Sequence, residues 1–523
     1  MSEIEIDQIQ QTQLEQQATC SSVSVVVSRR YFGRSDDPGA AIQPNPPLPN
    51  EPLAYHVGLR IVRVRQSAIT PQLRAMAANF TSSPTAPGIP AGFSRLVQLE
   101  HSGLVTRVRS LSRPECAATY APRGAMSTMM FSGPAMPTEM EDANFGAHLV
   151  EFQNEAAAEM FQTQTENDPI FESVSRVAMR YLATPIATYP SSPLPPQPGP
   201  VLWNLQKICW SAARCAPSFT EPTQIKVAVL DTGIDLNHPD FAGRSTPIDY
   251  TYSYPDSLSN DGPEDIIGHG THVSGIITAR IGNNLGIEGI CDCKLCVWKI
   301  FTNQTTFANY HQGFVYYVDP FLYHRALSQC ISQGIDVLNL SIGGSTPPDA
   351  NEQVLYNLLL QRGTVVVAAM GNQRQYGNPI SYPAAIPGVI AVGATNIDDT
   401  VAVFSNRGNH ITLVAPGVSI WSTLPTYQGQ TGFAAQPGST GQPVQGAPQV
   451  RETDYAAWDG TSMATPHVTA AVAMLLAARG RLSPAEVKTA LENAADKVGA
   501  MTHNQNAGID YGAGRLNLLR LLT

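Results

Sequence analysis

From residue 225 to the C-terminus, short apolar runs alternate with stretches of helical character, and this alternation limits the fold more than any other feature. "IKVAVLDTG", "LCVWKIF", "IDVLNLSIGG", "GTVVVAAMGN" and "VIAVGAT" are rich in Val and Ile, and Gly or polar residues end most of them. A strand with one wet face alternates apolar and polar residues. Runs that are almost wholly apolar belong to strands covered on both sides, as in a parallel sheet between helical layers. The expected fold class is therefore α/β, a largely parallel sheet flanked by helices. Ligands of such sheets bind beyond the carboxyl ends of the strands, so the residues that close these runs are where chemistry is expected.

The preceding half of the chain has a different texture. Residues 1–54 are polar and then proline-rich ("DDPGAAIQPNPPLPNEP") and read as a disordered tail. Over 55–183, "YHVGLRIVRVR", "FSRLVQLE", "GLVTRVRSL" and "HLVEFQ" have strand patterning, "NEAAAEMFQTQTEN" reads as a helix, and "FESVSRVAMRYLA" as a further strand. This is a smaller α+β module. Residues 184–200, "TPIATYPSSPLPPQPGP", hold too many prolines for a helix or central strand and form a linker. The α/β domain occupies 201–523. Near its end, "LSPAEVKTALENAADKV" predicts a helix with a Ser483/Glu486 capping box and Pro484 in the first turn.

Composition excludes several function classes. Only 14% of the 523 residues are charged and the net charge is −10, which argues against a nucleic-acid partner. No apolar run approaches the ~20 residues of a membrane span. The opening "MSEIEIDQIQQTQLEQQ" lacks the basic and apolar segments of a secretory signal, and eight cysteines are too few for a disulfide scaffold. Together these lean towards a cytoplasmic setting.

Three stretches bring an acid, a base and a hydroxyl to strand or helix ends. Asp231 closes "VAVLDTGID"; by itself it reads as a turn residue. His269 stands between two glycines in "IGHGTHVSGII", glycines that would admit a close substrate backbone. Ser462 lies in "DGTSMATPH", just before a long apolar helix, where alone it reads as an N-cap. Acyl transfer requires a hydroxyl beside an imidazole whose tautomer is fixed by a buried carboxylate, and the helix start at Ser462 favours developing negative charge.

"VAVLDTGIDLNHPDF", "GHGTHVSGIITA" and "DGTSMATPHVTAAVAML" resemble the three active-site signatures of the subtilisin-like serine peptidases, in that family's Asp–His–Ser order. The resemblance covers roughly residues 203–518. It implies a serine endopeptidase acting on extended polypeptides: Asp231 orients His269, His269 is the general base and then acid, and Ser462 is the nucleophile. In "VVVAAMGNQ" it marks Asn372 as the side-chain oxyanion donor, paired with the Ser462 N–H. In "LNLSIGG" it marks the Ser341-Ile342-Gly343-Gly344 edge as the strand that pairs with substrate. A catalytically silent scaffold and a peptide ligase on the same triad are the competing readings.

The resemblance also implies that the 55–183 module is an inhibitory propeptide, a partner of the chain's own cleft, released by cleavage in or near 184–200. No cofactor is required. A structural calcium is left open: Asp240 and the "GNNLGIEG" loop (282–289) occupy the family's calcium region, but this loop is one residue shorter than the family pattern. "CDCKLC" (Cys291, Cys293, Cys296) reads as buried thiols rather than a zinc site, so no metal ligand is assigned. His238, His272 and His467 read as packing residues, and Asp256, Asp261, Glu264 and Asp265 as a solvated loop. Two segments exceed the family's usual lengths: 301–325, aromatic-rich, and 425–455, whose Gly, Gln and Pro content predicts a flexible loop. The residues after Asn372 hold no carboxylate for a basic side chain, so an apolar or broad preference is expected just before the scissile bond.

Overall fold

The computed structural model describes residues 55–65, 99, 102–111, 146–182, 202–252, 262–308, 313–439 and 441–523. The sequence-predicted tail (1–54) and linker (184–200) lie outside these residues, as does "FSRLVQLE" apart from Leu99. In the N-terminal module, β1 (Tyr55–Val64), β2 (Val105–Ser110), β3 (Ala147–Phe152) and β4 (Phe171–Ala178) form an antiparallel sheet in the order β2-β3-β1-β4. Helix α1 (Glu155–Thr165) is capped by Asn154, whose side chain accepts from the Ala157 N–H. One sheet face, with Val62, Val108, Val150 and Phe152, packs on Ala158 and Phe161 of α1. The other, with Ile61, Ala147, Leu149 and Val177, joins a core that includes Phe321 and Tyr356 of the main domain. The module's sheet is thus covered on both sides, the second cover being the body of the protein. After β4 the chain makes a two-residue strand, β5 (Tyr181–Leu182).

The main domain is built on a seven-stranded sheet made of β6 (Lys226–Asp231), β7 (Ile248–Thr251), β8 (Lys294–Lys299), β11 (Val337–Leu340), β13 (Val365–Ala369), β14 (Ile390–Thr395) and β15 (Ile411–Pro416). Every neighbouring pair is parallel, in the order β15-β14-β13-β11-β6-β8-β7. The five apolar runs of the sequence supply its interior, buried along nearly their whole lengths. Helices α2 (His269–Thr278) and α5 (Thr461–Arg479) lie in the core with Val227, Val229, Val367 and Val392; α3 (Pro320–Gln333) and α4 (Ala350–Gln361) pack with Ala228, Leu338 and Val366 on the other face. Alternate residues of each strand therefore feed opposite layers. Helix α5 is long and apolar enough to span a bilayer by composition, yet it is buried through Leu476, as a central core helix is. Helix α6 (Pro484–Ala494) carries the expected Ser483/Glu486 capping box.

The segments longer than the family pattern depart from expectation. Residues 301–325 open with the hairpin β9 (Phe301–Ala308) and β10 (Gly313–Val318). Residues 425–455, expected as a flexible loop, contain the hairpin β17 (Gln430–Pro437) and β18 (Pro443–Val450). β17 pairs with β10 through Phe314–Phe433. Each hairpin is paired mainly within itself, and the long-range Phe314–Phe433 pairing joins the two; Gly, Gln and Pro content does not reveal either. The two insertions form one antiparallel sheet that continues through β5 to β12 (Ile342–Gly343).

Candidate active site

Asp231 is the last residue of β6 and has no solvent exposure. Its Oδ1 accepts from His269 Nδ1 at 2.7 Å and from the Thr232 N–H at 2.7 Å. This bond places the proton of a neutral imidazole on Nδ1 and leaves Nε2 with a lone pair. Nε2 is buried and has no hydrogen-bond partner among the described residues. The ring lies 6.4 Å from Trp458, inclined by 28°, while His272 stacks on the same indole at 4.9 Å. Burial, and then the neighbouring His269, push the His272 pKa down to about 3, so this second imidazole is a neutral packing group.

The start of α2 is set by close packing. Gly268 has φ +86°, and a Cβ on Gly270 would stand 2.1 Å from the Gly233 carbonyl oxygen. Gly270, expected to admit a substrate backbone, lets the helix start interlock with the turn after Asp231, and a Cβ on Gly268 would stand 2.9 Å from the Arg451 side chain. Asp265, expected in a solvated loop, is fully buried. Its Oδ1 accepts from Thr232 Oγ1 (2.7 Å) and the Gly268 N–H (2.9 Å), and its Oδ2 from Thr271 N–H (2.9 Å) and Oγ1 (2.6 Å). It ties the residue after Asp231 to the residues flanking His269. A carboxylate three residues before the helix-opening glycine was the signal available in sequence. Glu264 borders the same turn, its carbonyl accepting from Lys299 Nζ; Asp256 and Asp261 lie outside the described residues.

Ser462 is the second residue of α5, fully buried, with Gly460 rather than itself at the N-cap. Its Oγ donates to the Ser341 carbonyl at 3.1 Å, and Ser341 Oγ donates back to the Ser462 carbonyl at 2.9 Å. The hydroxyl is turned towards the strand edge rather than to His269. Asn372, just beyond β13, accepts at Oδ1 from both Thr461 N–H (2.9 Å) and Thr461 Oγ1 (2.8 Å). With Oδ1 so committed, Nδ2 is the donor end of this side chain. A Cβ on Gly460 would lie 3.2 Å from that Nδ2, so glycine keeps the space beside it. Thr461, whose small size alone stood out in the sequence, thus positions the amide.

The Ile342–Gly343 edge is already paired. In antiparallel register, Ile342 faces Leu182 and Gly343 faces Tyr181 of β5, whose other neighbour is β10 through Tyr317. A Cβ on Gly344 would meet the Met179 carbonyl oxygen at 2.5 Å. The remaining sequence candidates are structural in position. His238 Nδ1 accepts from the Asp240 N–H, and His467 bonds Asn204 and the Met463 carbonyl. Cys291, Cys293 and Cys296 are free, buried thiols; burial first, then Asp249, pushes Cys296 up to about 12, while Cys209 is disulfide-bonded. Asp240 accepts from Asn283 Nδ2 (2.8 Å) and the Ile287 N–H (3.0 Å). The loop thus offers Asp240 hydrogen-bond donors, the wrong polarity for a cation. No cluster of three or more His, Cys, Asp or Glu side chains fit for a metal occurs among the described residues. As they are arranged, Asp240 and the 282–289 loop do not fit a calcium site.

The family model for the subtilase family, peptidase S8, matches residues 223–514, more than half of the chain. The chain belongs to the subtilase family. Subtilisin from Bacillus pumilus is 33% identical over 301 residues, covering 57% of this chain and 90% of the relative. Thermitase from Thermoactinomyces vulgaris is 33% identical over 304 residues, covering 57% and 88%. Fervidolysin from Fervidobacterium pennivorans, described as a keratinolytic enzyme related to subtilisin, is alike in fold. Its TM-score is 0.55 at 21% identity, over 90% of this chain and 61% of its own. This subtilase is a serine-type endopeptidase that acts on polypeptides.

Proposed function

We propose that Asp231, His269 and Ser462 form the catalytic triad of this subtilase and that hydrolysis passes through an acyl-enzyme on Ser462. The observation that carries the reading is the buried 2.7 Å bond from His269 Nδ1 to Asp231, which leaves the Nε2 lone pair as the base. Ser462 Oγ turns from the Ser341 carbonyl to Nε2, gives up its proton there and attacks the substrate carbonyl carbon. The resulting oxyanion is held by Asn372 Nδ2 and the Ser462 N–H. As the C–N bond breaks, His269 returns the proton to the departing amine. A water, deprotonated by the same Nε2, then cleaves the ester and restores the hydroxyl. Asp231→Asn removes the charge that fixes the tautomer; a fall of about 10⁴-fold in kcat is expected, measured on a peptide amide. A fall of less than tenfold would count against the assignment.

The N-terminal module is the natural occupant of this cleft. β5 lies where an extended substrate would pair with Ile342 and Gly343, which supports its role as a self-inhibiting propeptide. The wild type is expected to shorten to a chain starting in or near 184–200, and Ser462→Ala to stay full length, by mass spectrometry. A wild type that is intact and fully active would overturn this role.

A further inference from the structure

We propose that Glu352 creates a subsite selective for an arginine side chain at the fourth residue upstream of the scissile bond in polypeptide substrates. The proposal rests on the triad reading above and on the pairing of β5. Arg180 immediately precedes β5, and its side chain enters the main domain beside α4. Its Nη2 donates to Glu352 Oε2 at 2.8 Å and its Nε to Oε1 at 3.2 Å, a two-point fork; Nη1 donates to the Thr346 carbonyl at 2.8 Å. The two side chains are 1% and 2% exposed. Tyr323 donates to Glu352 Oε1 (3.1 Å) and shares a hydrogen bond with Tyr356 (2.6 Å), so the carboxylate is aimed from behind. The Glu352 N–H is itself held by Asp349 at the start of α4.

The register converts this contact into a substrate position. Tyr181 faces Gly343 and Leu182 faces Ile342. One step further along an antiparallel pair, a substrate residue stands opposite Ser341, whose carbonyl already accepts from Ser462 Oγ. That residue carries the scissile carbonyl, and the residue in the place of Arg180 is the fourth counted back from it. Side chains alternate along a strand, so the second and fourth residues share a face. Leu182 is buried in the core on that face, whereas Tyr181 lies edge-on to Tyr317.

When the module leaves, Glu352 loses its cation, while Tyr323 still bonds its Oε1. An arginine from substrate, packed against it as Arg180 is, restores both the charge pairing and the planar two-point geometry, which an apolar or acidic residue does not. Burial opposes the charge of Arg180, but Glu352 and the phenol oxygens outweigh it and hold the guanidinium above its ordinary pKa.

The test compares reporter amides of acetyl-Arg-Tyr-Leu-Ala and acetyl-Ala-Tyr-Leu-Ala on the purified full chain. The ratio of their kcat/KM values is independent of the fraction of clefts that are open. A preference of about a hundredfold for the arginine peptide is expected in the wild type, falling below about fivefold in Glu352→Gln and largely kept in Glu352→Asp. A wild-type ratio within threefold overturns the subsite even if the variants fail to fold, as does an undiminished ratio in a folded Glu352→Gln. Failure of a phosphonate to label Ser462 would strike the triad reading instead. A phosphonate-reactive enzyme that cleaves both peptides equally would strike the subsite alone.

Discussion

Ser341 and Ser462 hold each other by reciprocal hydrogen bonds, each hydroxyl donating to the other's carbonyl at 2.9–3.1 Å. The strand edge that pairs with an extended chain is thereby locked to the first turn of α5. On the proposed reading, a substrate paired with Ile342 and Gly343 is held next to Ser462, whose hydroxyl then needs only to turn from the Ser341 carbonyl to His269.

Thr461 is a positioning residue for Asn372. Thr461→Ala removes one of the two bonds that orient the amide, and kcat is expected to fall about tenfold with KM nearly unchanged, short of the 10²–10³-fold typical of losing the donor itself. Thr461→Ser, which keeps the hydroxyl, should restore most of the rate. Equal losses in Thr461→Ala and Thr461→Ser would argue that packing, not the hydroxyl, matters.

Asp265 joins the turn after Asp231 to the start of α2 through four hydrogen bonds. Asp265→Ala leaves those buried donors unmatched, and a loss of about 3 kcal/mol is expected from denaturant titration in a Ser462→Ala background. A midpoint equal to that of the parent would refute its structural role.

His467 and His272 are buried neutral. Burial is the leading cause of both shifts, taking His467 to about 4 and His272 to about 3 from 6.5. Below pH 6.5 the unfolded chain binds protons that the folded chain does not, so stability is full above that pH and declines as pH falls towards 4. The expected slope reaches about 1.4 kcal/mol per pH unit for each group. Urea midpoints of the Ser462→Ala protein at pH 7.5 and 5.0 check this; an equal or higher midpoint at pH 5.0 contradicts it.

Much of the architecture was legible because it is written in local pattern. The runs ending at Asp231, Leu340 and Ala369 are apolar on both faces, which only a covered parallel strand requires, and they are β6, β11 and β13. The edge strands β7 and β15 escaped notice; β7 is short and half exposed, and "ITLVAP" of β15 is a buried run of six that ends at a proline. The motif residues of the candidate site were legible as strand and helix ends, but what holds them was not. Asp265 sits among other acids and looks solvated until the fold closes over it. Arg180 and Glu352 are 172 positions apart, and only the return of the module to the cleft brings them together. The 425–455 segment read as a loop because its Gly, Gln and Pro residues lack the apolar alternation of a half-buried strand, although it folds back on itself as a hairpin.

Labelling of Ser462 tests the triad most directly. A serine-directed phosphonate is added to the purified wild type and to Ser462→Ala, and the adduct is mapped by mass spectrometry. A single adduct on Ser462, absent from Ser462→Ala and slowed strongly by Asp231→Asn, is predicted. A folded wild type whose cleft is open and whose Ser462 takes no label would contradict the triad.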